Sequence, residues 1–481
     1  MAVSTVLFVN PNLMQPPVAP IGLEYVAAAL RRRGYEPVLR DLAFAEGWKL
    51  ALGVAVTALK PAAILVSVRN IDDAYFASQD FVLETTAQIV RHIKELSETP
   101  VILGGVGFSI APREVLRFTC ADYGIVGEGE NALPALLDCL GAAGDIAKVP
   151  GAVFHAPDGR IAVVPPVPCN IEELPTPPRR FLDNERYFEE GGQAGVETKR
   201  GCTGLCIYCV EPNAKGNRIR LRAPKSVAEE FADLLDQGID AVHLCDSEFN
   251  MPRHHAYAVC EALTESGVAS KMHWYTYASP HRFDKGLAQA MARAGCRGID
   301  FGVDHADPAM LQRLARKYGQ DDIRQTAEAC RAADIPFMFD LLLGGPGETP
   351  ESLERAIEFM REVKPDRVGL SCGVRVYPHT PLARMVLEQG PLDRNPNLHG
   401  TTEDNDDLLR PIFYVDSAIG GDIHRAVSAL VKGDKRFLHA DPDQVDGNYN
   451  YNDNSVLSNA IRDGERGAYW AILLRRDQGT A

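Results

Sequence analysis

Short apolar runs alternate twice with amphipathic helical patterns along this chain, and that alternation confines it to α/β architecture. Over residues 1–150 the runs "STVLFVNPN", "EPVLRDL", "AAILVSVRN", "PVILGGVGF" and "ADYGIVGEGE" read as five strands. Helical stretches such as "GLEYVAAALRRRG" and "ETTAQIVRHIKELSE" lie between them. A helix after each strand returns the chain to the same end of the sheet, so the strands pair in parallel and both faces are covered. The expectation is a doubly wound, Rossmann-like sheet, which binds ligands at the carboxyl ends of its strands. Those ends supply Asn10, Ser67, Arg69, Asn70, Gly104, Gly105, Gly127 and Gly129 as candidate contacts. Glycine there lets a ligand approach the backbone, although the same glycines also suit plain tight turns.

Residues 151–195 are rich in proline, with one hairpin signal at Asp158-Gly159, and read as a linker or strap. From Val196 the alternation resumes through "AGVETKRG", "GIDAVHLCDSEFN", "KMHWYTYAS", "CRGIDFGVDHAD", "IPFMFDLLLGGPGET" and "DRVGLSCGVRVYP". Six strand–helix units in residues 196–390 fall short of the eight, in about 250 residues, of a closed barrel. A partial, open (β/α)6 TIM-type barrel is expected, with functional groups on the loops that follow its strands. Residues 391–481 lose the pattern and read as a small cap over the barrel.

The net charge of −15 argues against a nucleic-acid binder, although "KGNRIRLRAPK" at 215–225 is a local basic stretch suited to an anion. No run of 18 apolar residues offers a membrane span. The first residues, "MAVSTVLFVNPNL", lack a basic segment before the apolar run and read as a strand, not a signal peptide. Eleven cysteines, mostly scattered singly, fit a reducing cytoplasm better than a disulfide framework.

Three of those cysteines are not scattered. "KRGCTGLCIYCVEP" sets Cys202, Cys206 and Cys209 in the spacing Cys-x3-Cys-x2-Cys, with glycines between them. Structural zinc wants four ligands, usually as two separated pairs, and no second pair follows. Thiolates also hold iron–sulfur clusters, and three thiolates on a four-iron cluster leave one iron open for another ligand.

This stretch resembles the radical S-adenosylmethionine (SAM) enzymes, whose motif is Cys-x3-Cys-x-aromatic-Cys; Cys202, Cys206, Tyr208 and Cys209 match it. The resemblance implies a [4Fe–4S] cluster whose open iron chelates SAM, and reductive cleavage to a 5′-deoxyadenosyl radical. It implies that Asp246, Ser247 and Glu248 receive the SAM ammonium. It likewise implies that Asp304 meets the ribose or carboxylate, that Gly344, Gly345 and Glu348 lie beside adenine, and that Tyr208 offers it backbone contacts or packs. Taken one at a time, each of these acids reads equally well as a solvated loop carboxylate.

The first domain is similar to that of the cobalamin-binding subclass, on "PIGLEYVAAALRRRGYEPVLRD", "ILGGVGFS" and "YGIVGEGE". It departs from the Asp-x-His-x-x-Gly pattern of cobalamin domains: "NPNLMQPP" has no histidine, so the lower face of a cobalamin would meet Arg69, Asn70 or Asp72. The resemblance favours cobalamin-dependent C-methylation of a small polar metabolite. It leaves open a cobalamin-independent dehydratase, lyase or decarboxylase with the first domain as scaffold, and a non-catalytic sensor. Glu211, Tyr275, Tyr277 and Tyr377, at barrel strand ends, are candidate acids or bases. The implied partners are the small-molecule substrate and an electron donor such as flavodoxin or ferredoxin, with no nucleic acid and no membrane.

Overall fold

The computed structural model describes residues 4–174, 176–440 and 451–479. The first sheet holds seven strands: β1 (Thr5–Asn10), β2 (Glu36–Asp41), β3 (Ala63–Ser67), β4 (Val101–Gly104), β5 (Tyr123–Ile125), β6 (Ala152–His155) and β7 (Ile161–Val163). Their order is β2-β1-β3-β4-β5-β6-β7. The first five are parallel. All five residues of β3 are buried, as expected of a strand covered on both faces. The Asp158–Gly159 hairpin, β6 and β7, adds antiparallel to the edge of this sheet, so the proline-rich segment extends the first domain before it crosses to the second.

The second unit begins at β8 (Ala194–Val196), followed by a two-strand ribbon of β9 (Lys199–Arg200) and β10 (Arg220–Leu221). Then come β11 (Ala241–Leu244), β12 (His273–Ala278), β13 (Cys296–Asp304), β14 (Phe337–Leu343) and β15 (Arg367–Cys372). Strand β16 (Val374–Arg375) joins β17 (Leu398–Gly400) and β18 (Ile412–Tyr414) in a small antiparallel sheet. Finally β19 (Phe437–Leu438), from the segment read as a cap, pairs with β15. The main sheet runs β19-β15-β14-β13-β12-β11-β8, parallel and open. The six expected barrel strands are present, with β19 as a seventh.

Period-2 alternation sorts the barrel side chains. Trp274, Phe301, Phe337 and Phe339 join the core under the helices. Tyr277, Asp300, Gly302, Asp304 and Asp340 face the barrel interior and border a cavity there. Tyr451 and Asn452, with Tyr469 and Trp470 of the terminal helix Tyr469–Gln478, border one side of it. Part of the amide-rich "NYNYNDN" stretch (residues 448–450) lies outside the described residues. Among the described residues no helix is long and apolar enough to cross a membrane.

Buried ion pairs join the two units. Arg179, from the proline-rich strap, is fully buried and donates to Glu24 of the first-domain helix Gly22–Arg32 and to Glu230 of the barrel helix Pro224–Asp236. Arg222 lies 2.6 Å from the other Glu230 oxygen and 2.9 Å from the Tyr25 hydroxyl. Two guanidiniums thus face two carboxylates. A second cluster sets Arg220 2.6 Å and Arg200 3.2 Å from Glu128, and Arg200 2.7 Å from Glu130. The basic stretch does hold anions, but they are the protein's own carboxylates at the end of β5.

Removing one member of a buried cluster strands its partner, at a cost of about 3–5 kcal/mol. Glu230→Ala is therefore expected to lower the denaturant midpoint of unfolding clearly. Lys225→Ala, which loses only an exposed pair with Glu229, should leave it in place. Equal midpoints would mean that the cluster does not hold the two units together.

Candidate active site

A cavity of about 570 Å³ lies between the first domain and the barrel interior. The cysteine loop forms one wall. It leaves β9 through Gly201 (φ +92°), where a Cβ would stand 2.1 Å from the Arg218 carbonyl oxygen, so only glycine fits. Gly204 sits between two sulfurs: a Cβ there would be 3.2 Å from Cys202 Sγ and 3.7 Å from Cys206 Sγ. Its N–H donates to Cys202 Sγ over 3.3 Å. Cys202, Cys206 and Cys209 all border the cavity and none is in a disulfide. Burial pushes all three thiols up, Cys209 to about 12. Among the described residues no group of three or more His, Cys, Asp or Glu is arranged to hold a metal ion directly. The three sulfurs border a shared cavity instead, and this donor set suits an iron–sulfur cluster, whose irons would hold them as thiolates.

Arg316 organises the adjacent wall. Its Nη1 donates to Cys206 Sγ (2.7 Å), its Nη2 to the Gly302 carbonyl (2.7 Å) and its Nε to the Tyr318 hydroxyl (2.7 Å). Asp304 Oδ2 lies 3.3 Å from Arg316 Nε and accepts the Tyr208 hydroxyl at 2.5 Å. Burial raises the Asp304 carboxyl, opposed by Arg316 and the Tyr208 hydrogen bond. Glu248 stands 3.8 Å from Arg316, and burial raises it too. Ser247 Oγ donates to Glu211 Oε2 (2.8 Å), which also lies 3.2 Å from Lys215 Nζ. Tyr277, 45 % exposed, projects into the cavity against His243. Burial lowers His243 to about 4, so it is neutral near pH 7.

From the first domain, Arg69 and Asn70 reach this cavity. Their backbone is pressed by the next loop. A Cβ on Gly105 (φ +101°) would stand 2.5 Å from the Val68 carbonyl oxygen, and one on Gly107 would stand 3.0 Å from Arg69 backbone atoms. The strand-end glycines thus form a cradle that fixes where Arg69 sits. A large planar ligand at this sheet end would meet Arg69 and Asn70, and the residues fit cobalamin approaching with no histidine beneath it.

Of the residues singled out from sequence, Arg69, Asn70, Cys202, Cys206, Tyr208, Cys209, Glu211, Asp246, Ser247, Glu248, Tyr277 and Asp304 border the cavity. Asp246 spends both oxygens on its own chain, accepting from the Thr198 N–H (2.8 Å) and hydroxyl (2.5 Å) and lying 3.3 Å from Lys199 Nζ. Its carboxylate anchors the base of the cysteine loop, which leaves Glu248 facing the cavity. Twelve others do not border it, Asp72 among them, which accepts from Arg375 and Tyr377 instead. Asn10 bonds Asp41 and Tyr187 (both 2.9 Å). Ser67, Gly104, Gly105, Gly127 and Gly129 shape the sheet end; a Cβ on Gly129 would meet Val26 at 3.0 Å. Tyr275 is buried beneath Trp470 and Gly467, too deep to act as an acid or base in the cavity. Tyr377 donates to Asp72 (2.9 Å) across the domain boundary. Glu348 is fully buried, 2.6 Å from His305, and accepts the Gly344 and Gly345 N–H groups. It locks its own loop, so no oxygen of it is left for a ligand.

Among the cavity residues that the sequence did not single out are Arg316, Asp300 and Asp340. Arg316 gives no local signal. The two aspartates do: each interrupts an apolar strand, at "GIDFGV" and "MFDLLL", where a carboxyl must face an interior site.

A family model of the Radical SAM superfamily matches residues 196–360, and one of the B12 binding domain matches residues 14–137. The tryptophan 2-C-methyltransferase of Streptomyces laurentii is 28% identical over 447 aligned residues, covering 80% of this chain and 75% of that one. The radical SAM methyltransferase TsrM of Kitasatospora setae, solved with tryptophan substrate and a SAM analogue bound, superposes with a TM-score of 0.92 at 29% identity, covering 98% of each chain. The cobalamin-dependent radical SAM enzyme OxsB superposes at 0.71 with 18% identity, covering 88% of this chain and 65% of that one, and shares the fold.

Cys206→Ala leaves two thiols and one unpartnered Arg316 nitrogen. After anaerobic reconstitution its iron and sulfide content should collapse toward zero, while its far-UV circular dichroism matches the parent. Full iron content in this variant would show that the three cysteines are not the cluster ligands.

Proposed function

This chain is a radical SAM enzyme carrying a B12-binding domain, and from that premise we propose that it methylates a carbon atom of a small polar aromatic metabolite. The observation that carries the reading is that Arg69 and Asn70 of the first domain and Cys202, Cys206 and Cys209 of the barrel border one cavity. A first domain serving only as scaffold would have no reason to place a cation there. TsrM has been solved with cobalamin and a [4Fe–4S] cluster as well as with tryptophan, and tryptophan is the first substrate to try.

When bound, the cluster, held by Cys202, Cys206 and Cys209, would supply the site for SAM as methyl source, and the cobalamin, met by Arg69 and Asn70, would supply methyl-carrier chemistry. The chain's residues then divide the work. The three cysteines hold the cluster, and Arg316 neutralises charge on Cys206 and Asp304. Glu248, Ser247 and Asp304 receive the cationic and hydroxyl groups of SAM, with Tyr208 fixing Asp304. Arg69 and Asn70 meet the cobalamin. Tyr277 and Glu211 face the substrate space and are the groups suited to move a proton there. Tyr469 and Trp470 of the terminal helix cover one side of that space. The cluster would take its electron from a flavodoxin- or ferredoxin-type donor, and the cysteines, none of them in a disulfide, suit a reducing cytoplasm.

The test is anaerobic purification after growth with cobalamin, followed by assays of iron and cobalamin and incubation with methyl-labelled SAM and tryptophan. Cobalamin beside iron, with label in a product one methyl group heavier, is the expected result. Arg69→Ala should lower cobalamin retention or its spectrum while leaving iron content unchanged. Iron without cobalamin, and 5′-deoxyadenosine without a methylated product, would overturn methylation and point to elimination or decarboxylation.

A further inference from the structure

The loop that leaves β3 passes through several environments within a few residues. Val68 and Ile71 enter the core of the first domain. Arg69 and Asn70, between them, border the cavity. Asp72 turns into the barrel unit instead. Its side chain is fully buried, and Arg375 of β16 donates from Nε to Asp72 Oδ2 over 2.8 Å. The Tyr377 hydroxyl and the Ala74 N–H each donate to Asp72 Oδ1 over 2.9 Å. Further along, Phe76 packs with its ring centre 5.3 Å from that of Phe413 in β18. It lies over Gly373, where a Cβ would stand 3.0 Å from the Phe76 ring.

The barrel side of this grip is itself held in place. Arg375 Nη2 donates to the Leu409 and Leu408 carbonyls over 3.0 and 3.3 Å, and the guanidinium lies 4.5 Å from the centre of the Tyr377 ring. On the first-domain side, Gly105 and Gly107 press on the backbone of Val68, Arg69 and Asn70. Arg69 thus sits between glycines of its own domain and a carboxylate fastened to the barrel. Neither Asp72, Arg375 nor Tyr377 borders the cavity. A buried ion pair returns little net stability, so what this one supplies is position.

We propose that Asp72, held by Arg375 and Tyr377, is a positioning residue for Arg69 and through it sets the affinity and the reduction potential of a cobalamin bound over this loop. This rests on the reading above that cobalamin meets Arg69. A cation beside a metal favours the lower oxidation state, so Arg69 in its seat raises the Co(II)/Co(I) potential. The Asp72 carboxylate acting through space would do the opposite. Asparagine in its place must turn its NH2 onto Arg375 Nε, or onto the Tyr377 hydroxyl and the Ala74 N–H. Either way a donor meets a donor, so Asp72→Asn releases the loop while keeping the side chain's size.

The experiment loads anaerobically purified protein with hydroxocobalamin and measures its dissociation constant and Co(II)/Co(I) midpoint potential by spectroelectrochemical titration. The parent is compared with Arg69→Ala, Asp72→Asn, Tyr377→Phe and the Arg69→Ala/Asp72→Asn double variant. Asp72→Asn should weaken binding about tenfold and shift the potential negative, as Arg69→Ala does. Tyr377→Phe, which removes one donor, should shift both in the same directions by less. The double variant should match Arg69→Ala, because Asp72 acts through Arg69. A merely structural role gives additive losses and, from the lost carboxylate, a potential shifted positive. Either result, or parent-like affinity and potential in Asp72→Asn, would overturn the proposal. If Asp72→Asn does not fold, Tyr377→Phe alone and combined with Arg69→Ala decide by the same criteria. A parent that binds no cobalamin overturns this proposal and the cobalamin reading together. Variants that behave as expected, without any methylated product, would uphold the positioning role and remove the methyltransferase reading. Methylated product with additive variants would do the reverse.

Discussion

Everything at the site depends on the buried ion clusters between the two units. The cavity has no complete wall within either domain: Arg69 and Asn70 come from one, and the cysteines and acids from the other. Arg179 is the keystone, since it touches Glu24 of the first unit and Glu230 of the second while belonging to the strap between them. Buried pairs of this kind return little net stability, because desolvating the charges costs about as much as their attraction gains. What they impose is geometry. A guanidinium held by two carboxylates in fixed positions tolerates no sliding, and an apolar interface of equal area would. The Glu128 and Glu130 cluster extends this control to the cysteine loop, because Arg200 and Arg220 flank that loop on both sides.

The barrel strands show how one sequence serves two solvents. In β13, Ile299, Phe301 and Val303 enter the core while Asp300, Gly302 and Asp304 border the cavity. In β14, Phe337, Phe339 and Leu341 enter the core and Asp340 borders the cavity. A one-residue slip would place aspartates under the helices and phenylalanines in the cavity, so register is strongly enforced. The shift between Gly302 and Asp304 is where that rule relaxes, and there Asp304 takes a positive φ of 59°. The irregularity turns its carboxyl toward Tyr208 and Arg316, and strain of this kind gathers at functional sites.

Much of this was legible in the sequence, because local signals carried it. Both runs of alternating strands, the Asp158–Gly159 turn and the cysteine loop are written in contiguous residues. What was not legible depends on contacts between distant residues. Nothing beside Glu348 in sequence announces that His305, 43 residues away, will claim it. Tyr275 and Tyr277 differ by two positions and point the same way by strand alternation. Yet Trp470 of the last helix covers the first and leaves the second open. Arg316 is another such case, one arginine among many until the fold brings it to Cys206. The aspartates inside β13 and β14 were the readable signal that went unused, for a charge in the middle of an apolar strand has to be justified by what it faces.

Charge along the cavity explains how its two ends differ. Six carboxyl groups border it, those of Glu211, Asp246, Glu248, Asp300, Asp304 and Asp340, against the cations Arg69, Lys215 and Arg316. At the cysteine end the balance is local: Arg316 serves Asp304 and Cys206, Lys215 serves Glu211, and Asp246 is satisfied by Lys199 and backbone N–H groups. Toward β12, β13 and β14, burial and the neighbouring Asp340 raise Asp300, while the Arg69 cation acts on Tyr277 and Tyr469. Asp300 Oδ1 is one of several buried polar atoms at this cavity with no hydrogen-bond partner among the described residues, together with Gln193 Oε1 and Trp470 Nε1, so a ligand there meets both acceptors and a donor. The acids that the strands carry inward are thus held by different means: cations and N–H donors keep those at the cysteine loop charged, while burial and a neighbouring carboxyl push Asp300 the other way.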